Sequence, residues 1–141
     1  MSSIFDDTLT KVIGRMNLIE KALRNIPASL HSLYPVLSEN SPAQLLANAD
    51  NYAPGDYAVL RMSSDAARTV SGMSGGKKGR VLWIHNVGAQ NIVLAHQSAS
   101  SIAANRFTSP TAAAITLGAN DSARLYYDST SATWRITTVT V

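Results

Sequence analysis

The sequence predicts a mainly β protein, in which an N-terminal α-helix that forms a trimeric coiled coil precedes an antiparallel β-sandwich or jelly-roll-like C-terminal domain. Apolar residues near the start follow the alternating four- and three-residue spacing of a coiled-coil seam. Prolines punctuate the next stretch, and short β-rich runs with intervening turn residues follow it. We therefore expect a helix at residues 1–27, a Pro-rich linker or wrapping segment with a short helix at residues 28–56, and a β domain at residues 57–141.

The first helix has a recognisable start, an end and an apolar seam. Ser3 and Asp6 have the spacing of a capping box, and Pro27 stops the helix. Arg15 falls at heptad position g and Glu20 at position e, where the two side chains can pair between parallel chains. The seam residues at the a and d positions are Phe5, Leu9, Val12, Met16, Ile19, Leu23 and Ile26.

Ile13 and Ala22 widen the apolar stripe beyond the seam, which favours three strands over two. The alternative is an amphipathic helix that packs on its own domain. The strict 3.5-residue period favours the coiled coil, so we expect a homotrimer whose interface contains the seam residues together with Arg15 and Glu20.

The Pro-rich segment contains a second helix signal. Ser41 and Pro42 resemble an N-cap and first helical position for a short helix over residues 43–49. Too many apolar residues occur here for a free tether, so we expect the segment to pack on a neighbouring chain or on the β domain. These residues are Leu30, Leu33, Tyr34, Val36, Leu37, Leu45 and Leu46.

Eight short β-rich runs make up the C-terminal part. The third and fourth runs are close enough to form a hairpin around Gly88–Gln90, which would place Trp83, His85, Leu94 and His96 on one face. The third run is apolar on both faces and is therefore expected to be buried between two sheets, or between a sheet and a neighbouring subunit. The runs are Tyr57–Met62, Arg68–Ser71, Arg80–His85, Asn91–His96, Arg106–Thr108, Ala114–Leu117, Ala123–Tyr127 and Trp134–Val141.

Composition argues against several classes of partner. The net charge is +3, but charged residues make up only 15% of the chain, and the one basic cluster is Lys77, Lys78 and Arg80. We therefore expect no nucleic-acid partner. The absence of cysteine excludes disulfides. We also expect no membrane span and no export by the usual route, because no long apolar run exists and acids occupy the first residues.

No constellation of residues indicates catalysis, so we expect a non-enzyme without cofactor or metal. The Gly-rich stretch at residues 72–79 lacks the spacing of a phosphate-binding loop and is typical of a mobile turn. Aspartates beside turn residues, namely Asp56, Asp65, Asp121 and Asp128, are expected to satisfy local backbone donors. His85 and His96 are interpreted as structural, although a symmetry axis could bring copies of one histidine together around an ion.

Adjacent tyrosines provide a candidate for glycan contact. If Tyr126 and Tyr127 both lie in a strand, one side chain points inward and the other outward. At least one of them would then be an exposed aromatic residue. We name both as possible contacts for a host-surface glycan.

Several pieces of residues 51–136, in order, resemble β domains of tailed-bacteriophage virion proteins. Such domains occur in fibres, appendages and decoration proteins, commonly as trimers with a helical stalk. The pieces are Asn51–Asp56, Arg61–Asp65, Arg68–Gly72, Gly79–Gly88, Asn91–Leu94, Ala103–Phe107, Tyr127–Asp128 and Trp134–Arg135.

The resemblance implies a structural protein of the virion surface, a β-sandwich head and no catalytic residues. Three heptads are short for a long tail fibre, so a homotrimeric short head fibre or capsid decoration (cement) protein fits best. The alternative is the host-glycan receptor-binding domain of a tail fibre or baseplate. The implied partners are the chain itself and other virion proteins such as capsid or tail components, with attachment to capsid, neck or tail left open.

Overall fold

The computed structural model describes residues 4–24 and 37–140, which fall into two compact units, Met1–Val36 and Leu37–Val141. Within the first unit a helix, α1, spans Ile4–Arg24, where the seam predicts one. Ser3, Ile26 and Pro27 lie outside the described residues, as do the side chains of Phe5 and Leu23. Asp7 and Lys11 form an i,i+4 salt bridge of 2.8 Å along α1.

Within the second unit, the described residues 37–140 form nine strands in two sheets. Each of the eight predicted runs contains a strand, and β1 is a short addition that the sequence did not signal. The large sheet has the order β1-β2-β4-β8-β9-β6, and the small sheet has the order β3-β5-β7. The strands are β1 (Glu39–Asn40), β2 (Val59–Met62), β3 (Arg68–Val70), β4 (Val81–Asn86), β5 (Ile92–Leu94), β6 (Phe107–Thr108), β7 (Ile115–Leu117), β8 (Ser122–Asp128) and β9 (Thr133–Thr140).

The sandwich is mixed rather than antiparallel. The pairs β4–β8, β8–β9 and β5–β7 are antiparallel. The pairs β1–β2, β2–β4, β3–β5 and β6–β9 are parallel. The arrangement is mixed because long connections carry the chain between sheets, so that many neighbouring strands are not joined by a tight turn.

The predicted hairpin of β4 and β5 is wrong, and so is the common face for Trp83, His85, Leu94 and His96. Strand β4 pairs with β2 and β8 in the large sheet, whereas β5 lies in the small sheet. The intervening loop crosses between the sheets, and the Asn86 side chain at its start binds both the loop and the end of β7. The Asn86 amide nitrogen donates to the carbonyl oxygens of Gln90, Leu117 and Gly118 at 2.8–2.9 Å.

The short helix predicted for residues 43–49 does not form. Instead, this segment runs beside the strand region that includes β3, as the predicted packing on the β domain requires. The amide nitrogens of Leu45, Ala49 and Tyr52 donate to the carbonyl oxygens of Ser63, Thr69 and Gly72, respectively. Leu45 is buried, and Ala49 and Tyr52 pack against the core. Hydrogen bonding to a strand edge therefore outweighs the local helix-start signal.

The core lies between the two sheets and is centred on Trp134, the largest fully buried side chain. Its Nε1 donates to the carbonyl oxygen of Met73 at 2.8 Å. Tyr127 packs edge-on against it, with ring centroids 5.3 Å apart. Inward residues alternate with outward ones along β4 and β8. The core residues are Leu45, Leu60, Met62, Val70, Met73, Leu82, Ile84, Ile92, Leu94, Phe107, Leu117, Ala123, Leu125, Tyr127, Trp134 and Ile136.

We predict that Asn86→Asp lowers the free energy of unfolding by at least about 3 kcal/mol. Asn86 is fully buried, and a carboxylate would direct an oxygen at carbonyl oxygens that now accept hydrogen bonds from Nδ2. Equilibrium denaturation in urea measures the loss. Asn48→Asp is the matched control, because the exposed Asn48 uses its side-chain oxygen to accept from Thr69, a role that a carboxylate retains. Equal losses of unfolding free energy in the two variants would contradict a specific contribution of the Asn86 hydrogen bonds.

We also predict that the stability difference between the wild type and Asp128→Asn depends on pH. The Arg135 guanidinium, the Ser131 hydroxyl and the Thr130 amide hold the pKa of the Asp128 carboxyl well below its usual range. The stabilisation is therefore complete above the ordinary aspartate pKa of about 4 and is lost as the pH falls towards the lowered value. Urea midpoints measured from pH 7 to pH 2 should converge for the two proteins. A difference that stays constant or widens towards low pH would be inconsistent with this origin.

Candidate functional site

The described part of the helical seam is exposed on α1. Leu9, Met16 and Ile19 are 57–60% exposed, and Val12 is 46% exposed. Within residues 4–24 and 37–140, no helix is both long and apolar enough to cross a bilayer. The helix thus presents the apolar stripe that a partner helix would cover, and Arg15 and Glu20 lie on the same helix at exposed positions.

The outward face of the large sheet carries two exposed aromatic side chains. We define the outer face by Val59, Trp83, His85, Arg124 and Tyr126, which alternate with core residues along β2, β4 and β8. Trp83 is 37% exposed and Tyr126 is 36% exposed. The Arg124 guanidinium lies 5.6 Å from the centroid of the Trp83 ring, a cation–π contact. Strand β4 is therefore buried by the core on one side and left half-covered on the other.

The adjacent tyrosines point in opposite directions, as the strand pattern predicts. Tyr126 lies on the outer face, whereas Tyr127 is only 8% exposed and packs against Trp134. Tyr127 is therefore a core residue and is not accessible to a glycan. Tyr126 is exposed and stays the candidate for glycan contact.

Both described histidines have partners within the sandwich. His85 Nδ1 lies 2.7 Å from the Ser122 hydroxyl oxygen, and His96 Nδ1 accepts from the Ser109 amide at 3.1 Å. Among the described residues, no three His, Asp or Glu side chains meet in a group that could hold a metal ion. An ion site on a symmetry axis stays a prediction.

Three of the predicted turn aspartates are bound locally. Asp121 accepts from the Gly118 amide at 2.6 Å, and Asp128 accepts from the Thr130 amide at 3.0 Å. Asp65 forms a bidentate salt bridge with Arg68 at 2.7 and 2.8 Å, which lowers the pKa of its carboxyl. Asp56 differs from these three, because its side chain is 96% exposed and lies at the 4.0 Å salt-bridge limit from Lys77.

The first part of the Gly-rich stretch is packed on the core, whereas Lys77, Lys78 and Gly79 are exposed and include a turn. Gly76 lies directly on the Tyr127 ring, where an added Cβ would come within 2.1 Å of a ring carbon. Gly75 has a φ of 74°, and its carbonyl oxygen accepts from Arg80 at 2.8 Å. The same guanidinium donates to the carbonyl oxygen of Gly55 and lies 5.7 Å from the centroid of the Trp134 ring. Arg80 therefore ties two loops to the core.

A cleft of about 250 Å³ opens beside these two loops. We call it the Tyr57 cleft, because the Tyr57 side chain, 40% exposed, forms part of its wall. No sequence pattern predicts this cleft, because its lining residues come from three separate segments of the chain. Two of them, Lys77 and Arg80, belong to the basic cluster seen in the sequence. The lining residues are Ser38, Asp56, Tyr57, Ala58, Lys77, Arg80 and Val81.

The sandwich corresponds to a known family. Residues 40–135 match the family model described as the phage depolymerase C-terminal beta sandwich domain. No curated protein and no solved structure matches the chain significantly. The family match confirms a phage tail- or fibre-type β domain, in agreement with the resemblance seen in the sequence and with the two packed sheets. Since the match covers more than half of the chain, the protein belongs to the family of phage depolymerase C-terminal β-sandwich domains.

Proposed function

We propose that the protein is a homotrimeric structural component of a phage virion, assembled through a parallel three-stranded coiled coil of α1. The observation that carries this proposal is the exposed seam on a helix of 21 residues. An amphipathic helix of this length gains most of its stability from packing of its apolar face. Covering each large apolar side chain contributes about 1.5–3 kcal/mol, so the seam supplies a strong drive for association.

Three heptads are short for a trimer at low concentration, and the outer face provides a second contact between subunits. Trp83 and Tyr126 are aromatic residues of the kind that dominate the energy of protein interfaces. In this proposed arrangement the core covers one side of β4 and a neighbouring subunit covers the other, as the sequence predicts for a strand that is apolar on both faces.

The short coil favours a short head fibre or capsid decoration protein at the virion surface. The family description names a depolymerase domain, which also fits a tail appendage. The partners proposed are therefore other copies of the chain and a capsid or tail protein. We propose a non-catalytic role, which the local structural use of Asp65, Asp121 and Asp128 supports.

A second candidate function is recognition of a host-surface glycan by the outer face. The supporting observation is that Trp83 and Tyr126 expose aromatic rings on one sheet face, with Arg124 beside them. Aromatic faces can pack on the apolar side of a sugar ring, and arginine can bind sugar oxygens.

Sedimentation equilibrium of the full chain tests the trimer. We expect a mass about three times 15.0 kDa at micromolar concentration. Ile19→Lys places a charge in the seam and should raise the concentration at which the trimer dissociates by at least about tenfold. Leu18→Lys is the matched control, because Leu18 is 68% exposed but lies outside the seam. A monomeric wild type, or equal effects of the two variants, would rule out assembly through this seam.

Trp83→Ala and Tyr126→Ala distinguish the two roles of the outer face. If it is a subunit contact, each variant weakens the trimer in the same sedimentation assay and leaves glycan-array binding at background. If it is a receptor surface, the wild type binds glycans on the array and each variant does not, while the mass measured by sedimentation stays that of the trimer. An outer face with neither role would leave both readouts unaltered, and this result would refute both proposals.

A further inference from the structure

We propose that the Tyr57 cleft binds one acidic sugar unit, a hexuronic acid whose carboxylate is held by Lys77. The cleft lies within the Leu37–Val141 unit and does not include the outer-face residues Trp83 and Tyr126. The inference therefore goes beyond the proposed assembly function and does not depend on trimer formation.

The size and walls of the cleft suit a single ring. Its volume of about 250 Å³ is below the range of about 300–1,000 Å³ that is typical of drug-sized ligands. The Tyr57 ring provides an aromatic surface, and Ala58 and Val81 add apolar surface to the lining. These groups can pack on the C–H face of a pyranose, which is the apolar part of a sugar.

The polar groups of the cleft complement hydroxyls and a carboxylate. The Asp56 carboxylate is almost fully exposed, so it can accept hydrogen bonds from sugar hydroxyls. The Ser38 hydroxyl oxygen accepts from the Ala58 amide at 3.2 Å, which leaves its proton to donate to a ligand. Lys77 is 73% exposed and only at the limit of pairing with Asp56, so its ammonium can donate to a ligand carboxylate.

The charge balance selects an acidic sugar over a neutral one. Lys77 and Arg80 line the cleft with one carboxylate, that of Asp56. The contacts of the Arg80 guanidinium within the described residues are with the carbonyl oxygens of Gly55, Gly75 and Tyr57 and with the Trp134 ring, all of them uncharged. The cleft therefore has a net positive charge, which an anionic ligand would offset.

Arg80 also fixes the shape of the cleft before a ligand arrives. It ties the loops at Gly55 and Gly75 to the core, and these loops carry Asp56 and Lys77, which line the cleft 4.0 Å from each other. A preformed site loses little conformational entropy on binding. Arg80 is therefore a positioning residue, and it is unsuitable for a binding test because its replacement would disturb the fold.

The test is a titration of the isotope-labelled full chain with D-glucuronic acid and, separately, with D-glucose, followed by amide chemical shifts. We expect glucuronic acid to shift the amides of residues 55–58 and 77–81 and to bind at least about fivefold more tightly than glucose. Lys77→Met should remove that preference, whereas the neighbouring Lys78→Met should retain it. Tyr57→Ala should weaken the binding of both sugars, whereas Tyr57→Phe, which retains the aromatic ring, should not.

A third titration, with a hyaluronan tetrasaccharide, distinguishes a sugar unit within a polysaccharide from a free sugar. Binding of the tetrasaccharide at the same amides would identify a unit within a polysaccharide, and binding of the monosaccharide alone would identify a free sugar. The proposal would be overturned if the cleft amides did not shift, or if glucose and glucuronic acid bound equally well. It would also be overturned if Lys77→Met and Lys78→Met reduced the preference for glucuronic acid equally. Each readout is independent of the oligomeric state, so failure of the trimer would be seen separately.

Discussion

The contact on which the sandwich depends most is the packing of Trp134 between its two flanking partners, Tyr127 and Arg80. The indole bridges β9 to the Met73 backbone, and it is the largest side chain in the core. Arg80 stacks its guanidinium over the same ring while holding the Gly55 and Gly75 loops. Burial of one aromatic residue thereby determines the position of the loops that line the Tyr57 cleft.

The sandwich leaves aromatic side chains on its outer face that its own core does not cover. The small sheet covers the inward face of the large sheet, so Trp83 and Tyr126 stay half-exposed on the other side. On α1, the seam from Leu9 to Ile19 is exposed as well. Large exposed apolar patches on proteins usually mark interaction sites. The proposed assembly would cover both surfaces, and membership in a phage β-sandwich family is consistent with it.

The existence of the strands could be predicted from sequence because short β-rich runs are separated by turn residues, and some of these runs alternate buried and exposed residues, as Ser122–Asp128 does. Their pairing could not, since it depends on contacts between distant residues. The Asn86 side-chain amide donates to carbonyl groups about 30 residues away, where the chain crosses to the other sheet. No local pattern around Gly88 predicts these contacts. Likewise, the Ser41 and Pro42 helix signal was outweighed by backbone bonding of residues 45–52 to a distant strand.

The candidate surfaces were predictable to different degrees for the same reason. The helix and the opposite directions of Tyr126 and Tyr127 follow from local periodicity, and the structure agrees with both, whereas the seam as an interface stays a prediction. The Tyr57 cleft combines Ser38, Tyr57 and Lys77 from separate segments, so only the folded chain brings them together.

Disulfide cross-linking of Ile19→Cys tests the central claim of assembly most directly, because the natural chain has no cysteine. A parallel, in-register coil predicts rapid formation of covalently linked pairs through Ile19→Cys and slow linkage through Leu18→Cys, whereas equally slow linkage of both would contradict the account.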